Sequence, residues 1–359
     1  MYHSPALLSA VLPGVVCTIA WQDSGEELCL EELWATSAAA PPRAATIARR
    51  HQLRLAFSEL PALKARLAKD YTEFLLAESS TINNTAIASS PKLTSFELVA
   101  YHIAAMLEQW PQLRRGTSLT VTWQWQLRPG CGMGGSAALL WSITRGLVGD
   151  SPWCWKDYFA AVLASENLQH GHSSGLDLVA QALGNTSIYY PVAQTSLARD
   201  ALAAWQPVPI DFQPPFKVQL VFSGTPLSHT GACVSAVKAR LAAQPGLLDE
   251  GKASIVAAVA AAKAQDYAAF LEALKANEAW LEAINVVPAK VQRFKQAAAK
   301  LGGIVKLTGA GAVSGDGGGM LWLLSPLGDA INWEPLLHEF NYTLEPIDFH
   351  TQGVQLVAS

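Results

Sequence analysis

Charged side chains are scarce in this chain of 359 residues, because Lys, Arg, Asp and Glu together make up only 15% of it. The formal net charge is −4, so the sequence supplies no basic field for a nucleic acid or an anionic membrane surface. Half of the residues are apolar, which excludes a disordered chain. We therefore expect a folded protein that binds neither nucleic acid nor membrane, and in which local loops would have to hold any anionic ligand.

Sequence signals for disulfides, structural zinc, membrane spans and secretion are also absent. The cysteines never form a C-x-x-C pair, which argues against a disulfide framework and against a zinc site. No apolar run reaches the ~18 residues of a membrane-spanning helix, and the first residues lack the basic stretch and apolar core of a signal peptide. These absences predict a cytoplasmic protein and leave a homodimer open. The cysteines are Cys17, Cys29, Cys131, Cys154 and Cys233.

The pattern of apolar residues predicts a mixed α+β protein with two domains. The predicted strands are Gly14–Trp21, Leu28–Leu30, Ser118–Leu127, Phe216–Ser223, Gly303–Leu307 and Met320–Leu324. The predicted helices are Ala62–Leu76, Ser95–Trp110, one opening at Ser136, Trp155–Leu168, one opening at Leu178, Thr230–Ala243, Ile255–Ala276 and Ala289–Leu301. The segment Ala193–Pro215 is rich in proline and lacks periodicity, so we place the boundary there and predict domains 1–200 and 201–359.

A glycine-rich stretch, Arg128-Pro-Gly-Cys-Gly-Met-Gly-Gly-Ser-Ala-Ala, joins the strand that begins at Ser118 to a helix. That strand alternates polar and apolar side chains, as is typical of a half-buried strand in an antiparallel sheet. In the first loop, Gly130–Gly135, glycines allow the backbone to approach a phosphate, and successive N–H groups can point at the anion. Ser136 would lie in the first helical turn, where its hydroxyl could bind the Mg²⁺ of a nucleotide.

Two other interpretations of the first loop stay open. Gly130, Gly132 and Gly135 also satisfy G-x-G-x-x-G, with Asp150 twenty residues after Gly130, as in a dinucleotide-binding fold. The alternating strand and the turn sequence around Asp150 argue against it, since the first strand of that fold is continuously apolar. The phosphate-loop pattern G-x-x-x-x-G-K-[ST] is absent, and an ordinary glycine turn is the remaining alternative.

A second loop, His170–Asp177, follows a predicted helix that carries Glu166. Two carboxylates eleven residues apart and joined by a tight polar loop could converge, as phosphoryl transfer to an alcohol requires. One carboxylate would hold Mg²⁺ and the other would accept the proton of the attacking hydroxyl. The alternatives are a solvated loop with Asp177 as a helix cap, and a metal site at His170 and His172.

A third loop, Thr308–Gly319, connects two apolar strands and consists of glycine, alanine and small polar residues. Ordering such a segment costs conformational entropy and offers little packing in return, so a functional role competes with a flexible hairpin.

Taken in order, these loops resemble the motifs of the GHMP kinases over nearly the whole chain. The second motif of that family, P-x-G-x-G-L-G-S-S-A-A, is similar to the stretch from Arg128, and E-x-x-x-H-G-x-P-S-G-x-D, the mevalonate-kinase signature, is similar to Glu166–Asp177. The third motif, K-x-T-G-A-G, matches Lys306–Gly311, and the segment from Asn277-Glu-Ala-Trp-Leu to Lys300-Leu-Gly-Gly resembles its helical lead-in.

The resemblance implies a fold with an N-terminal domain like ribosomal protein S5 domain 2 and a ferredoxin-like C-terminal domain. It also implies ATP and Mg²⁺ as cofactors, Ser136 and Glu166 as metal ligands, and Asp177 as the catalytic base. The implied ATP-binding residues are Gly130, Gly132, Met133, Gly134, Gly135, Ser136, Ala137, Gly309, Ala310 and Gly311. The implied substrate-binding residues are His170, Gly171, Ser174, Asp177 and Thr230.

The sequence departs from the family pattern at several points. The first motif, A-P-G-K-x-x-L-x-G-E-H, is absent together with its lysine. The residues from Met1 resemble the segment C-terminal to that motif. We therefore expect either that the start codon was assigned too late or that the chain is an inactive paralogue. Gly135 replaces the first of two serines, and Ser173 stands where proline is usual. The stretch Gly315-Asp-Gly-Gly-Gly-Met is similar to phosphomevalonate kinases.

The expectation from sequence is a kinase that transfers phosphate from ATP to the primary hydroxyl of mevalonate. Phosphomevalonate kinase is the closest alternative, and the low number of Lys and Arg residues near the second loop favours mevalonate. A non-catalytic paralogue that binds a nucleotide or metabolite, and a dehydrogenase, are the alternatives from other classes.

Overall fold

The computed structural model describes residues 6–9, 11–12, 15–35, 47–80, 93–125, 128, 130–171, 173–184, 186–191, 205–212, 214–228, 230–326, 331–345, 348–349 and 353–355. The strands are β1 Ala6–Ser9, β2 Val11–Leu12, β3 Val15–Gln22, β4 Glu27–Ala35, β5 Ile47–Ala56, β6 Ser118–Trp125, β7 Thr186–Pro191, β8 Trp205–Pro209, β9 Lys217–Phe222, β10 Ile304–Leu307, β11 Met320–Ser325, β12 Thr343–Glu345 and β13 Asp348–Phe349. The helices are α1 Leu60–Ser80, α2 Ser95–Gln109, α3 Gly135–Val148, α4 Trp155–His170, α5 Leu176–Leu183, α6 Thr230–Ala243, α7 Gly246–Ala264, α8 Tyr267–Ala283, α9 Ala289–Lys300 and α10 Glu334–Phe340.

The N-terminal part contains a four-stranded sheet in the order β3-β6-β4-β5, covered by helices. Strand β6 turns its alternate residues Leu119, Val121 and Trp123 into a core that also contains Val99 of α2 and Leu139 of α3. The alternating pattern therefore predicted the strand and its buried face correctly. The antiparallel pairing predicted for β6 is present only with β3, because β6 runs parallel to its other neighbour, β4.

The C-terminal part contains a four-stranded sheet in the order β10-β11-β9-β12, in which every neighbouring pair is antiparallel. Along the chain, helices α6 to α9 lie between β9 and β10, and α10 lies between β11 and β12. This order and connectivity are those of a ferredoxin-like domain, as the resemblance implied. The structure confirms the expected two-domain α+β fold.

Two smaller strand groups connect distant parts of the chain. Strand β7 pairs with β1 and β8, and β13 near the C-terminal end pairs with β2 near the N-terminal end. Strand β8 lies in Ala193–Pro215, where the sequence predicted only a linker, and prolines at both ends of the β7–β8 pairing hid the strand. The boundary at residue 200 stays a prediction.

The helix predicted over Ile255–Ala276 is two helices, α7 and α8. Gln265 ends α7 in the left-handed conformation with φ 54°, and the Asp266 side chain accepts a hydrogen bond from Ala269 N at 3.0 Å, which caps α8. Asp266 is a favoured cap residue, so the break follows from a local signal that the alanine-rich pattern obscured. Within the described ranges, no helix is long and apolar enough to cross a membrane.

A buried histidine joins the helices that carry the predicted site. His102 of α2 is fully buried, and its ring nitrogens lie 2.9 Å from Ser165 Oγ of α4 and 2.8 Å from Thr144 Oγ1 of α3. Burial lowers the pKa of His102 to about 3. The neutral ring therefore fixes α3 and α4 relative to α2.

We expect this histidine to make the protein less stable in mild acid. The unfolded chain binds a proton at His102 below its ordinary pKa of 6.5, whereas the folded protein does so only near pH 3. The contribution of His102 is complete above pH 6.5 and falls by about 1.4 kcal/mol per pH unit below it. Urea unfolding between pH 7 and pH 4 measures this slope. His102→Gln should flatten it relative to exposed His338→Gln, and equal slopes in the two variants would contradict the assignment.

Candidate active site

The first loop leads from the sheet into α3 through glycines in the left-handed region. Gly130, Gly132 and Gly134 have φ values of 72°, 85° and 66°, which other residues rarely adopt. Gly134 precedes α3, and its position carries no side-chain cap. The first N–H groups of α3 consequently lie at an accessible loop, in the arrangement that binds phosphate groups in many proteins.

Gly135, where the family pattern has a serine, lies against an aromatic ring. A Cβ at this position would come within 3.3 Å of Trp125 Cζ3, at the end of β6. The indole of Trp125 is held in place by a hydrogen bond of 2.7 Å to the buried Glu32 carboxylate. The Trp125 ring therefore leaves little space for a side chain at position 135.

Ser136, Glu166 and His170 form one hydrogen-bonded cluster. Ser136 lies in the first turn of α3, and its Oγ is 2.9 Å from Glu166 Oε1 and 3.1 Å from His170 Nε2. Glu166 and His170 are one turn apart on α4, with His170 Nε2 3.2 Å from the same carboxylate oxygen. The buried Oε2 of Glu166 has no hydrogen-bond partner among the described residues, so one carboxylate oxygen is left over for a ligand.

Asp177 lies beside this cluster and beside the first loop. It is the second residue of α5, and its Cβ is 3.8 Å from the point where a Cβ at Gly134 would lie. The residue is solvent-exposed, and its carboxyl group lies close enough to Glu166 and His170 for their charges to act on it. Four predicted site residues from three helices therefore lie close together, in what is called the cleft below: Ser136, Glu166, His170 and Asp177.

The electrostatics of the cleft oppose ionisation of Asp177. Desolvation and the Glu166 charge raise the pKa of Asp177, although the His170 charge partly offsets them. Burial would lower the pKa of His170, but the hydrogen bond to Glu166 and the charges of Glu166 and Asp177 outweigh it and raise that pKa. An acid and a base with perturbed pKa values, here Asp177 and His170, are typical of catalytic sites.

Helix α1 contacts the second loop, and the sequence did not indicate this contact. The Tyr71 hydroxyl donates to Gly171 O at 2.5 Å, and the Phe74 ring lies 3.0 Å from where a Cβ at residue 171 would be. Ser174 Oγ accepts a hydrogen bond from Leu176 N at 3.2 Å and so forms the turn into α5. No local signal in α1 marks Tyr71 or Phe74, because their contact spans about a hundred residues of chain.

The third loop packs backbone to backbone against the first. A Cβ at Gly309 would lie 2.7 Å from Gly132 Cα, and Met320 N donates to Cys131 O at 2.9 Å. The Thr308 hydroxyl also lies 3.8 Å from the sulfur of Met133. The predicted ATP-binding residues of the two loops, including Ala137, Ala310 and Gly311, thus belong to adjoining segments of the N-terminal and C-terminal parts.

Thr230 is close in sequence to a contact with the third loop. It begins α6 and is exposed. Ser228, two residues earlier, accepts hydrogen bonds from Val313 N at 2.9 Å and Ser314 N at 3.0 Å. In the described part of the chain, this segment therefore contacts the third loop, and its predicted role at the substrate stays a prediction.

A multi-ligand metal centre does not form in the described part of the chain. No group of three or more His, Cys, Asp and Glu side chains is placed there to hold a metal ion. His172, which the sequence offered as a partner of His170 for zinc, lies outside the described residues. The oxygen donors of Ser136 and Glu166 remain the candidate site for a nucleotide-bound cation.

Comparison with known proteins identifies the fold. No protein-family model and no curated protein sequence matches the chain. The crystal structure of Methanococcus jannaschii mevalonate kinase is 15% identical with a TM-score of 0.65, and the match covers 99% of this chain and 93% of that chain. Streptococcus pneumoniae phosphomevalonate kinase in complex with phosphomevalonate and AMPPNP is 16% identical with a TM-score of 0.62, covering 97% and 94%.

A sugar kinase matches equally well. Lactococcus lactis galactokinase complexed with galactose is 12% identical with a TM-score of 0.65, covering 98% of this chain and 89% of that one. Each match extends over both the N-terminal and C-terminal parts. The chain therefore has the two-domain α+β fold of the GHMP kinases.

Proposed function

We propose that this protein is an ATP-dependent kinase that phosphorylates the primary hydroxyl of mevalonate. The observation that carries the proposal is the meeting of Ser136, Glu166 and Asp177 beside the glycine-rich N-terminus of α3. A phosphate-binding loop, oxygen donors for a cation and a carboxylate base are the parts that phosphoryl transfer to an alcohol needs.

Ser136 and Glu166 suit a nucleotide-bound Mg²⁺. Their hydroxyl and carboxylate oxygens are the hard donors that this ion prefers, and the buried Glu166 Oε2 has no other partner in the described part of the chain. When bound, the ion would neutralise developing charge on the phosphates. Glu166 and Ser136 would hold it at the start of α3, where the free amides face the same phosphate groups.

Asp177 is the proposed base for the attacking hydroxyl. Its raised pKa brings the carboxylate closer to the basicity that proton abstraction requires, while its exposure keeps it accessible to a substrate. As the hydroxyl oxygen attacks the terminal phosphorus of ATP, its proton would pass to Asp177, and ADP would leave. His170 would stabilise the negative charge of Asp177 and Glu166 from the side.

Mevalonate is preferred over phosphomevalonate because the second loop offers few cations. Within the described ranges, no lysine or arginine forms an ion pair with Glu166 or Asp177, whereas a phosphorylated acceptor calls for positive charge around it. One of the matched kinases is in complex with R-mevalonate and another with phosphomevalonate, so the fold accommodates either acceptor. A non-catalytic paralogue that binds a nucleotide or metabolite is the alternative.

Asp177→Asn should abolish most turnover while leaving nucleotide binding intact. The amide keeps the size of the side chain but cannot accept the proton, so kcat should fall about 10²- to 10⁴-fold with little change in KM for ATP. ADP release with Mg²⁺, measured separately with mevalonate and phosphomevalonate, tests this. The exposed Asp150→Asn is the matched control. Turnover with phosphomevalonate alone would overturn the acceptor, and no turnover by folded wild-type protein with either would favour the paralogue.

Glu166→Gln should raise the Mg²⁺ requirement. The amide removes the charge that would attract the cation, so the concentration for half-maximal rate should rise by about tenfold or more at saturating ATP. A titration of the rate with Mg²⁺ measures the shift, with the exposed Glu108→Gln as control. An unchanged Mg²⁺ dependence in Glu166→Gln would exclude Glu166 as a metal ligand.

A further inference from the structure

A buried glutamate behind the third loop contacts the chain where that loop begins. Glu278 of α8 is 2% exposed, and its Oε2 accepts a hydrogen bond from Leu307 N at 3.0 Å. Leu307 is the last residue of β10, which lies at the edge of its sheet and pairs with β11 alone. The edge strand leaves an outward N–H without a sheet partner, and the carboxylate of Glu278 satisfies it.

Two lysines balance the charge of this carboxylate. Lys295 Nζ lies 3.1 Å from Glu278 Oε1, and Lys306 Nζ lies 3.5 Å from Oε2. Lys306 also donates to Leu307 O at 2.7 Å, and Lys295 forms a second ion pair with Glu282. Lys306, which matches the lysine of the family's third motif, is therefore engaged in a largely buried network behind the loop.

The turn after α8 holds the other side of the glycine segment of the loop. Ala312 N donates to Val286 O at 2.9 Å, and a Cβ at Gly311 would lie 2.2 Å from the same carbonyl oxygen. Helix α8 is itself attached to α7, because Trp280 Nε1 donates to Leu247 O at 2.6 Å. One anchored helix and the turn after it thus contact the chain at both Leu307 and Ala312.

We propose that Glu278 is a positioning residue that holds the Thr308–Gly311 segment against the first loop. Small residues provide few side-chain contacts of their own, so a segment of them keeps one conformation only if its ends are fixed from outside. Gly309 then stays in contact with Gly132, and the two loops form a single wall of the cleft. The consequence for nucleotide affinity rests on the proposed function, whereas the consequence for loop order does not.

A pair of double variants isolates the hydrogen bond from the charge. Glu278→Gln/Lys306→Met and Glu278→Met/Lys306→Met each remove one negative and one positive charge, but only glutamine can still accept a hydrogen bond from Leu307 N. The control Glu272→Gln/Lys275→Met makes the same change in an exposed ion pair on the same helix. Hydrogen–deuterium exchange of residues 304–313 reports loop order, and titration with Mg²⁺–AMPPNP reports affinity, both well below the unfolding temperature of every variant.

The glutamine variant and the control should exchange and bind like wild type. The methionine variant should show faster exchange in residues 304–313 than in the neighbouring helices, and a dissociation constant for AMPPNP about tenfold higher. Unchanged exchange in the methionine variant would overturn the positioning role. Faster exchange with unchanged affinity would support that role and overturn its consequence for nucleotide binding. If wild-type protein binds no AMPPNP, the proposed function fails, and the exchange data alone still decide whether Glu278 orders the loop.

Discussion

The contact between two glycine loops is the constraint on which the cleft depends. Gly132 and Gly309 approach so closely that a Cβ at Gly309 would lie 2.7 Å from Gly132 Cα and collide with it, and a Cβ at Gly132 would lie 3.3 Å from Gly309 Cα. The hydrogen bond from Met320 N to Cys131 O then attaches the start of β11 to the first loop. Because the two loops belong to different halves of the chain, this contact joins the N-terminal and C-terminal parts at the cleft.

The cleft also depends on helices that reach it from a common core. His102 contacts Thr144 of α3 and Ser165 of α4, so the helices that carry Ser136 and Glu166 are fixed to each other through buried hydrogen bonds. Burial lowers the pKa of His102, so protonation of its ring is unfavourable in the folded protein and the folded state loses stability in acid. Burial and the nearby charge of Glu166 then keep the pKa of Asp177 raised.

Strands were predicted correctly where the pattern of apolar residues along the sequence reflects burial, and they were missed where it does not. The alternation in Ser118–Trp125 and the apolar run Met320–Ser325 marked β6 and β11 well. Strand β5 was missed, because its sequence, Ile-Ala-Arg-Arg-His-Gln-Leu-Arg-Leu-Ala, carries charged groups that suit a sheet edge. The parallel pairing of β4 with β6 was likewise not predicted, because the pattern of apolar residues within a strand does not specify its partner strand.

The sequence by itself determined which residues we predict to carry the chemistry: the glycine loop before Ser136, the spacing from Glu166 to Asp177, and the glycines of the third loop. These signals are local, because a phosphate loop and a loop between two helices each lie within about a dozen residues. Only the tertiary structure decided which distant residues contact these segments. It placed Trp125 against Gly135, Tyr71 on Gly171, and Glu278 behind Leu307. Each of those contacts joins segments far apart in the chain, and only packing of the complete fold determines which of them meet.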